Sequence, residues 1–237
     1  MPTDPKAERR RILAAGGPRT FQEFRRLLSP RVRALRGYVT QTVRCSGAFY
    51  AAVVDALNSV PDDFHRVLYA AGHRIIIGDR LVNMDPARFV GNQPRGHGPI
   101  GTWESVSGAF APPPISRIFV AELVTERGAI VPAKTTPATS REEVGHALDY
   151  ALDQGAGRPS QADPDFLLAY NTDVAGLTDP RLRSRMGYFL QRGGAGREEL
   201  FAQLFVAMRP GALPPQQQAE LLAAFPQCWQ VMPTILP

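Results

Sequence analysis

Strand-like segments lie in the middle of this chain, and segments with helical periodicity lie on both sides of them. β-branched and aromatic residues are dense in 73–78, 105–110 and 117–124, and three consecutive prolines separate the last two segments. Apolar residues recur at helical spacing before residue 71 and after residue 140. Strands grouped between helices, rather than alternating with them, predict an α+β domain with a small sheet and a helical C-terminal half.

Proline, glycine and acidic residues divide the flanking regions into individual elements. Pro30 splits 21–38 into two short helical pieces, and residues 84–101 are rich in Gly, Pro and Asn and predict a long loop. The remaining predicted helices cover 48–57, 62–71, 140–153, 164–169, 181–190 (poorly defined), 197–208 and 216–225.

Positive charge is concentrated at the N-terminus. Residues 1–45 hold eleven of the 27 Lys and Arg residues but only three of the 22 Asp and Glu residues. We therefore predict a basic arm over 1–47 and a folded domain over 48–237. Nucleic acid is not an expected partner, because no RNA-binding or helix-turn-helix pattern accompanies the arm. An acidic membrane surface, a secretion or partner segment, and a solvated extension from an arginine-rich coding bias stay open.

No apolar run is long enough to cross a membrane, and the N-terminus lacks the apolar segment of a secretory signal. We expect a cytoplasmic protein, one exported by a signal-independent route, or a mature fragment. Cys45 and Cys228 are far apart and are expected to be free, buried thiols. The oligomeric state is left open.

The helix predicted over 140–153 carries the clearest chemical pattern. Its apolar residues fall on one face, and Glu142, His146, Asp149 and Asp153 fall on the other. Because Glu142 and His146 are four residues apart, their side chains lie about 6 Å apart on one face. Two ligands on one helix need this arrangement to hold a single zinc ion.

The same residues also allow a purely structural interpretation. Ser140-x-x-Glu143 and Thr139-x-x-Glu142 are both capping boxes, and acidic residues are common in a first helical turn. A single histidine on a polar helix face is usually solvated.

Residues 142–146 match the metalloprotease motif H-E-x-x-H at every position except the first, where Glu142 replaces histidine. A second segment, 196–208, has a strong apolar stripe with Glu199 on its other side. Together the two segments resemble the anthrax-lethal-factor-like zinc metallopeptidases, which include the Pro-Pro endopeptidases. In that family H-E-x-G-H is followed about fifty residues later by a helix of the form E-[FL]-F-A-E-x-F. Gly145 and the run from Glu199 to Phe205 match this pattern except at Gln203.

The resemblance implies a zincin-like metalloprotease domain that binds zinc and cleaves a protein or peptide. It implies Glu143 as the general base, Glu142, His146 and Glu199 as metal ligands, and Glu198 as a neighbour of the metal. Tyr188 is the nearest candidate for the family's oxyanion-stabilising tyrosine, although it lies farther before Glu199 than is usual. Trp103 is a candidate for the substrate groove. For both aromatic residues an ordinary packing role is the alternative.

Glu142 changes what such a site can do. Two carboxylates neutralise a divalent ion, so the bound water is less acidic and the Lewis acid weaker than with two imidazoles, and a harder cation than zinc becomes competitive.

Three interpretations follow: a working endopeptidase with an altered first ligand, an inactive pseudoprotease that binds a protein or peptide partner in the old cleft, or a different fold with an accidental match. By analogy with the family, we expect an active enzyme to be a toxin or effector and to bind an extended substrate by strand addition to 117–124.

Overall fold

The computed structural model describes residues 16–94, 101–153, 155 and 157–236. The first fifteen residues of the predicted arm and residues 95–100 of the predicted loop lie outside this described part. The chain divides into two compact units, residues 1–140 and 141–237, with the boundary inside one helix.

The first unit combines short helices with all the strands of the described residues. Its helices are α1 (Phe21–Leu27), α2 (Pro30–Ala34), α3 (Gly47–Ser59), α4 (Asp62–Ala70), α5 (Leu81–Met84) and α6 (Pro86–Phe89), with a 3-10 turn at Trp103–Ser105. Its strands are β1 (Val39–Gln41), β2 (Arg74–Gly78), β3 (Gly108–Ala111), β4 (Arg117–Ala121), β5 (Leu123–Glu126) and β6 (Ala129–Pro132).

Four of the strands form one mixed sheet in the order β1-β2-β4-β3, and β5 and β6 form a separate antiparallel pair. β4 pairs in parallel with β2 and antiparallel with β3, so both of its edges are occupied. The predicted strand over 117–124 is therefore wrong in two respects. It breaks at Glu122 into β4 and β5, and β4 offers no free edge to which an extended substrate can add. The edge strands of this sheet are β1 and β3.

Part of the basic segment contributes to the first unit. Phe24 on α1 is fully buried, and its ring centroid lies 5.3 Å from that of Tyr50 on α3. β1 pairs in parallel with β2, with Val39 opposite Ile75. The predicted interruption at Pro30 is present, because Ser29 caps α2 and Pro30 occupies its first position.

The second unit is helical. It contains most of α7 (Thr136–Ala151), followed by α8 (Pro159–Ala162), α9 (Pro164–Gly176), α10 (Pro180–Arg185), a 3-10 turn at Gly187–Leu190, α11 (Ala195–Ala207), α12 (Pro215–Ala224) and α13 (Pro226–Ile235). Five of these helices begin at a proline, the residue whose fixed φ and missing N–H suit a first helical position. Asp163 and Asp179 cap α9 and α10 with their side chains.

Several boundaries differ from the sequence prediction for local reasons. Residues 84–101 were predicted as one loop, yet Pro86 opens the short helix α6. Helix α13 was not predicted, because Pro233 near its end hides the periodicity. Cys45 and Cys228 are free and buried, as predicted. Among the described residues, no helix has both the length and the apolar character needed to span a bilayer.

Candidate metal centre

Helix α7 carries the degenerate motif. Val144, Ala147 and Leu148 are fully buried, so the predicted apolar face is confirmed. Within the helix the opposite face is not solvated, although Asp153, beyond its end, is exposed. Glu143 is buried, Asp149 is completely inaccessible, and the His146 side chain is only 14% exposed. Polar side chains enclosed to this degree need partners inside the protein.

The capping-box interpretation of this helix is wrong. α7 begins at Thr136, one turn earlier than the sequence suggested, with Pro137 in its first turn. The Ser140 hydroxyl donates a hydrogen bond to the carbonyl oxygen of Thr136 at 2.7 Å, a bond typical of serine within a helix and not at its N-cap. Glu142 and Glu143 therefore do not lie in the first turn, and end-capping does not explain them.

Helix α11 provides the third carboxylate. It is buried along almost its whole length, and Glu198, Glu199 and Gln203 are buried along with its apolar residues. Nε2 of His146 lies 3.2 Å from Oε2 of Glu199. Glu142, His146 and Glu199 each offer one ligand atom, and these three atoms lie within 4.8 Å of one another. The structure thus brings the three predicted ligands together from two helices far apart in sequence.

A glycine allows the two helices to come this close. A Cβ atom on Gly145 would lie 2.9 Å from Cα of Ala202 and 3.1 Å from its carbonyl oxygen. Both are backbone atoms, which cannot move away without shifting α11. The motif glycine and the small residue facing it therefore set the separation of the helices that carry His146 and Glu199.

Negative charge dominates the surroundings of His146. Burial opposes its protonation, but the hydrogen bond and charge of Glu199, with the charges of Glu143 and Glu142, outweigh burial and raise the pKa of His146 to about 9. Burial raises the pKa of Glu142, and Glu199 adds to that shift while His146 opposes it. Three carboxylates around one imidazole make an enclosed environment that favours a cation.

Tyr188 lies next to the same group, in the 3-10 turn that precedes α11. Burial of its hydroxyl raises the pKa of Tyr188, and the charge of Glu199 and a hydrogen bond with Glu199 add to the shift. The residue as a whole is 39% exposed. Gly196 permits this turn to pack on the start of α11, since a Cβ atom there would lie 2.3 Å from the carbonyl oxygen of Phe189. The structure therefore brings Tyr188 to Glu199 despite the long spacing in sequence.

Arg158, which the sequence analysis did not select, pairs with Glu198. Nη2 of Arg158 lies 2.9 Å from Oε1 of Glu198. Asp149, which the helical spacing places on the face opposite the apolar one, accepts hydrogen bonds from the backbone N–H and the hydroxyl of Ser160. A sequence signal for Asp149 existed: it lies three residues after His146 on the same helix face, so a buried His146 implies an enclosed Asp149.

Trp103 belongs to the first unit. Its ring lies 4.9 Å from that of Phe89, beside a buried cluster that includes Phe119. This packing matches the alternative given for Trp103, and its role in a substrate groove stays a prediction.

Comparison with known proteins identifies the fold. No family model matches the sequence, and no curated protein matches it. Among solved structures, the chain is similar to the Pro-Pro endopeptidase PPEP-2 from Paenibacillus alvei, with a TM-score of 0.54 and 18% sequence identity. The likeness covers 85% of this chain and 99% of that one. At this identity it establishes the fold alone, and the chain accordingly has the mixed α+β fold of a zincin-like metallopeptidase, as predicted.

Proposed function

We propose that this chain is a metal-dependent endopeptidase whose metal is held by Glu142, His146 and Glu199. The observation that carries the proposal is the convergence of these three side chains, from α7 and α11, to within 4.8 Å. The zincin-like fold supports it independently, because the fold likeness does not depend on the identity of these three residues.

The donor set fits a divalent metal ion. Imidazole nitrogen and carboxylate oxygen are both ordinary zinc ligands, and two donors on one tetrahedral zinc ion lie about 3.4 Å apart. The His146–Glu199 separation of 3.2 Å is close to that value. With two carboxylates the set also suits harder ions such as manganese, so zinc and manganese are the ions to test first.

When bound, the metal would polarise the peptide carbonyl and increase the acidity of water. Glu143 adjoins the ligand Glu142 and is buried, and its charge acts on both His146 and Tyr188. We assign Glu143 the role of general base, which takes a proton from the attacking water and passes it to the leaving amine. The Tyr188 hydroxyl, kept protonated by its surroundings, donates a hydrogen bond to the carbonyl oxygen as negative charge develops there.

Glu142 supports a second candidate function. A second ligand carboxylate in place of an imidazole lowers the net positive charge at the metal and so weakens water activation. A pseudoprotease that retains the fold and binds a peptide without cleaving it follows from the same substitution. The toxin or effector role rests on the family resemblance alone and stays a prediction.

Metal analysis and peptide cleavage test the two candidates together. The protein is purified without chelator, its metal content is measured, and it is loaded with zinc or manganese and incubated with an extended-peptide library that includes Pro-Pro sequences. The named activity of PPEP-2 motivates those sequences. Chelator-sensitive cleavage supports the endopeptidase. If the wild type binds metal stoichiometrically but does not cleave, and Glu142→His does cleave, the result supports the pseudoprotease. Absence of metal binding and of cleavage in both proteins contradicts the metal centre.

A further inference from the structure

Residues 158–161, here called the bridging segment, contact the helix that carries His146. The backbone N–H of Ser160 donates to Oδ1 of Asp149 at 2.8 Å, and its hydroxyl donates to Oδ2. Nη1 of Arg158 lies 3.9 Å from Oδ2 of Asp149, and the guanidinium lies 4.3 Å above the ring of Tyr150. Asp149 is one helical turn beyond His146, so these contacts attach the bridging segment to α7 close to the candidate ligand His146.

The same segment contacts the start of the helix that carries Glu199. Nη2 of Arg158 lies 2.9 Å from Oε1 of Glu198. Nε2 of Gln161 donates to the carbonyl oxygen of Gly194 at 2.9 Å, and Oε1 of Gln161 accepts from Nη2 of Arg197 at 2.9 Å. Glu198 precedes Glu199 directly, so these contacts end one residue from the other candidate ligand.

The contacts between the bridging segment and the two helices involve charged side chains that are largely enclosed. Asp149 is fully buried, Glu198 is 7% exposed, and the Arg158 side chain is 20% exposed. Nη2 of Arg158 is at hydrogen-bond distance from Glu198, while Nη1, at 3.9 Å from Asp149, attracts that carboxylate through charge and forms no hydrogen bond with it. One arginine therefore relates two helices whose facing side chains must converge on one point.

We propose that Arg158 is a positioning residue that fixes the separation of α7 and α11 and thereby sets the metal affinity of the Glu142–His146–Glu199 group. This inference rests on the proposed function only in requiring that the group binds a metal. It extends to the bridging segment as a whole, with Ser160 and Gln161 supporting the two ends. Partners that orient metal ligands typically affect metal affinity 10- to 100-fold when removed.

The test compares zinc affinity across matched variants by competition with a chromogenic chelator. Arg158→Met removes both ion pairs and keeps most of the apolar stem, and we expect zinc to bind about 10- to 100-fold more weakly. Arg158→Lys should fall between this variant and the wild type. Arg185→Met is the matched control, since Arg185 forms a 3.0 Å ion pair with Glu220 elsewhere in the same unit. Its zinc affinity should be unchanged.

A second control separates positioning from loss of stability. Leu221→Ala opens a cavity in the buried side of α12 and lowers the unfolding midpoint without touching the bridge. Its zinc affinity should equal that of the wild type, and its cobalt(II) visible spectrum, which reports coordination geometry, should be unaltered. Arg158→Met should change that spectrum. If Arg158→Met does not fold, Gln161→Ala, which removes the hydrogen bonds to Gly194 and Arg197, takes its place.

The outcomes distinguish the two claims. In one outcome, the wild type, Arg158→Met and Gln161→Ala bind zinc equally well and share the wild-type cobalt spectrum. This outcome overturns the positioning role and leaves the metal centre intact. An equal loss of affinity in Leu221→Ala and Arg158→Met also overturns it, because stability alone would then explain the loss. Wild-type protein that binds neither zinc nor cobalt overturns both claims.

Discussion

Two histidines with little or no exposure, one in each unit, show how differently the same side chain is used. His65 in the first unit is completely inaccessible, and each of its ring nitrogens has one partner. Nε2 lies 2.9 Å from the carbonyl oxygen of Leu57, which only accepts, so Nε2 carries the proton. Nδ1 lies 3.0 Å from the Tyr38 hydroxyl and accepts from it. Burial lowers the pKa of His65, and the neutral ring satisfies every partner.

His146 in the second unit is surrounded by carboxylates instead. Its Nε2 contacts Glu199, and the pKa of His146 is raised to about 9 against the effect of burial. The His146 side chain is 14% exposed and His65 is inaccessible, but the larger difference between the two sites is the chemistry of the partners. A hydroxyl and a carbonyl fix a neutral ring, whereas three acidic groups favour a positive charge. Enclosure of a histidine therefore says little about function until its partners are identified.

Replacing the general base should give the largest effect. Glu143→Gln keeps the shape of the side chain and removes the carboxylate that accepts the proton, so we expect turnover of a cleaved peptide to fall by about 10²- to 10⁴-fold. Zinc content and the unfolding midpoint should change little, because Glu143 is not among the three ligands. Glu126→Gln at the end of β5 is the control. Full activity in Glu143→Gln would remove this residue from the mechanism.

The same substitution at the two histidines tests the comparison directly. His146→Gln removes one of three metal ligands, and we expect zinc affinity to fall by more than about 100-fold, beyond the range typical of residues that only orient ligands. His65→Gln should lower the unfolding midpoint, since Tyr38 and Leu57 lose a well-placed partner, and should leave zinc affinity unchanged in the folded protein. Equal zinc affinities in the wild type and His146→Gln would mean that His146, like His65, is not a metal ligand.

The sequence predicted those parts of the site that follow from short-range pattern. Helical periodicity placed Val144 and Leu148 on a buried face, and i,i+4 spacing placed Glu142 beside His146. Composition predicted strands on both sides of the three prolines, where β3 and β4 are found. The approach of Glu199 came from the family resemblance, since no local rule relates residues so far apart.

What the sequence missed depends on contacts between elements. Strand order decides that β4 is central and not an edge, and composition carries no information on order. The partners of Asp149 were not predicted, because helical periodicity separates two faces without saying what covers the second one. Arg158 lies in a short glycine- and proline-rich stretch whose conformation depends on the partners it finds on α7 and α11.

Adding one methyl group between the two helices should have a smaller, structural effect. Gly145→Ala places a Cβ atom against the backbone of Ala202, and we expect the second unit to lose about 1–3 kcal/mol of stability through overpacking. Zinc affinity should fall as well, because the ligands move apart. Gly176→Ala at the end of α9 is the matched control. Its Cβ atom meets nothing within 4 Å, so stability should rise by up to about 1 kcal/mol. If both variants behave alike, close helix contact is not what positions the ligands.

The smallest expected effect concerns pH and the buried histidines of the first unit. Burial, with some help from Arg74, lowers the pKa of His73 to about 4. Between its unfolded pKa of about 6.5 and that value, only the unfolded chain takes up the proton, so stability falls as the pH falls. From pH 7 to 5.5 His73 should account for a loss of about 1 kcal/mol, and His65 shifts in the same direction.

Urea titrations in a Trp229→Phe background measure this loss, because Trp103 then reports on the first unit alone. His73→Met replaces the ring by an apolar side chain that does not titrate, and it should reduce the loss of unfolding free energy between pH 7 and 5.5 by about 1 kcal/mol. A pH dependence identical to that of the parent protein would mean that His73 does not remain neutral in the folded state. The first unit would then tolerate a buried histidine cation without a carboxylate, and the contrast with His146 would no longer depend on partner chemistry.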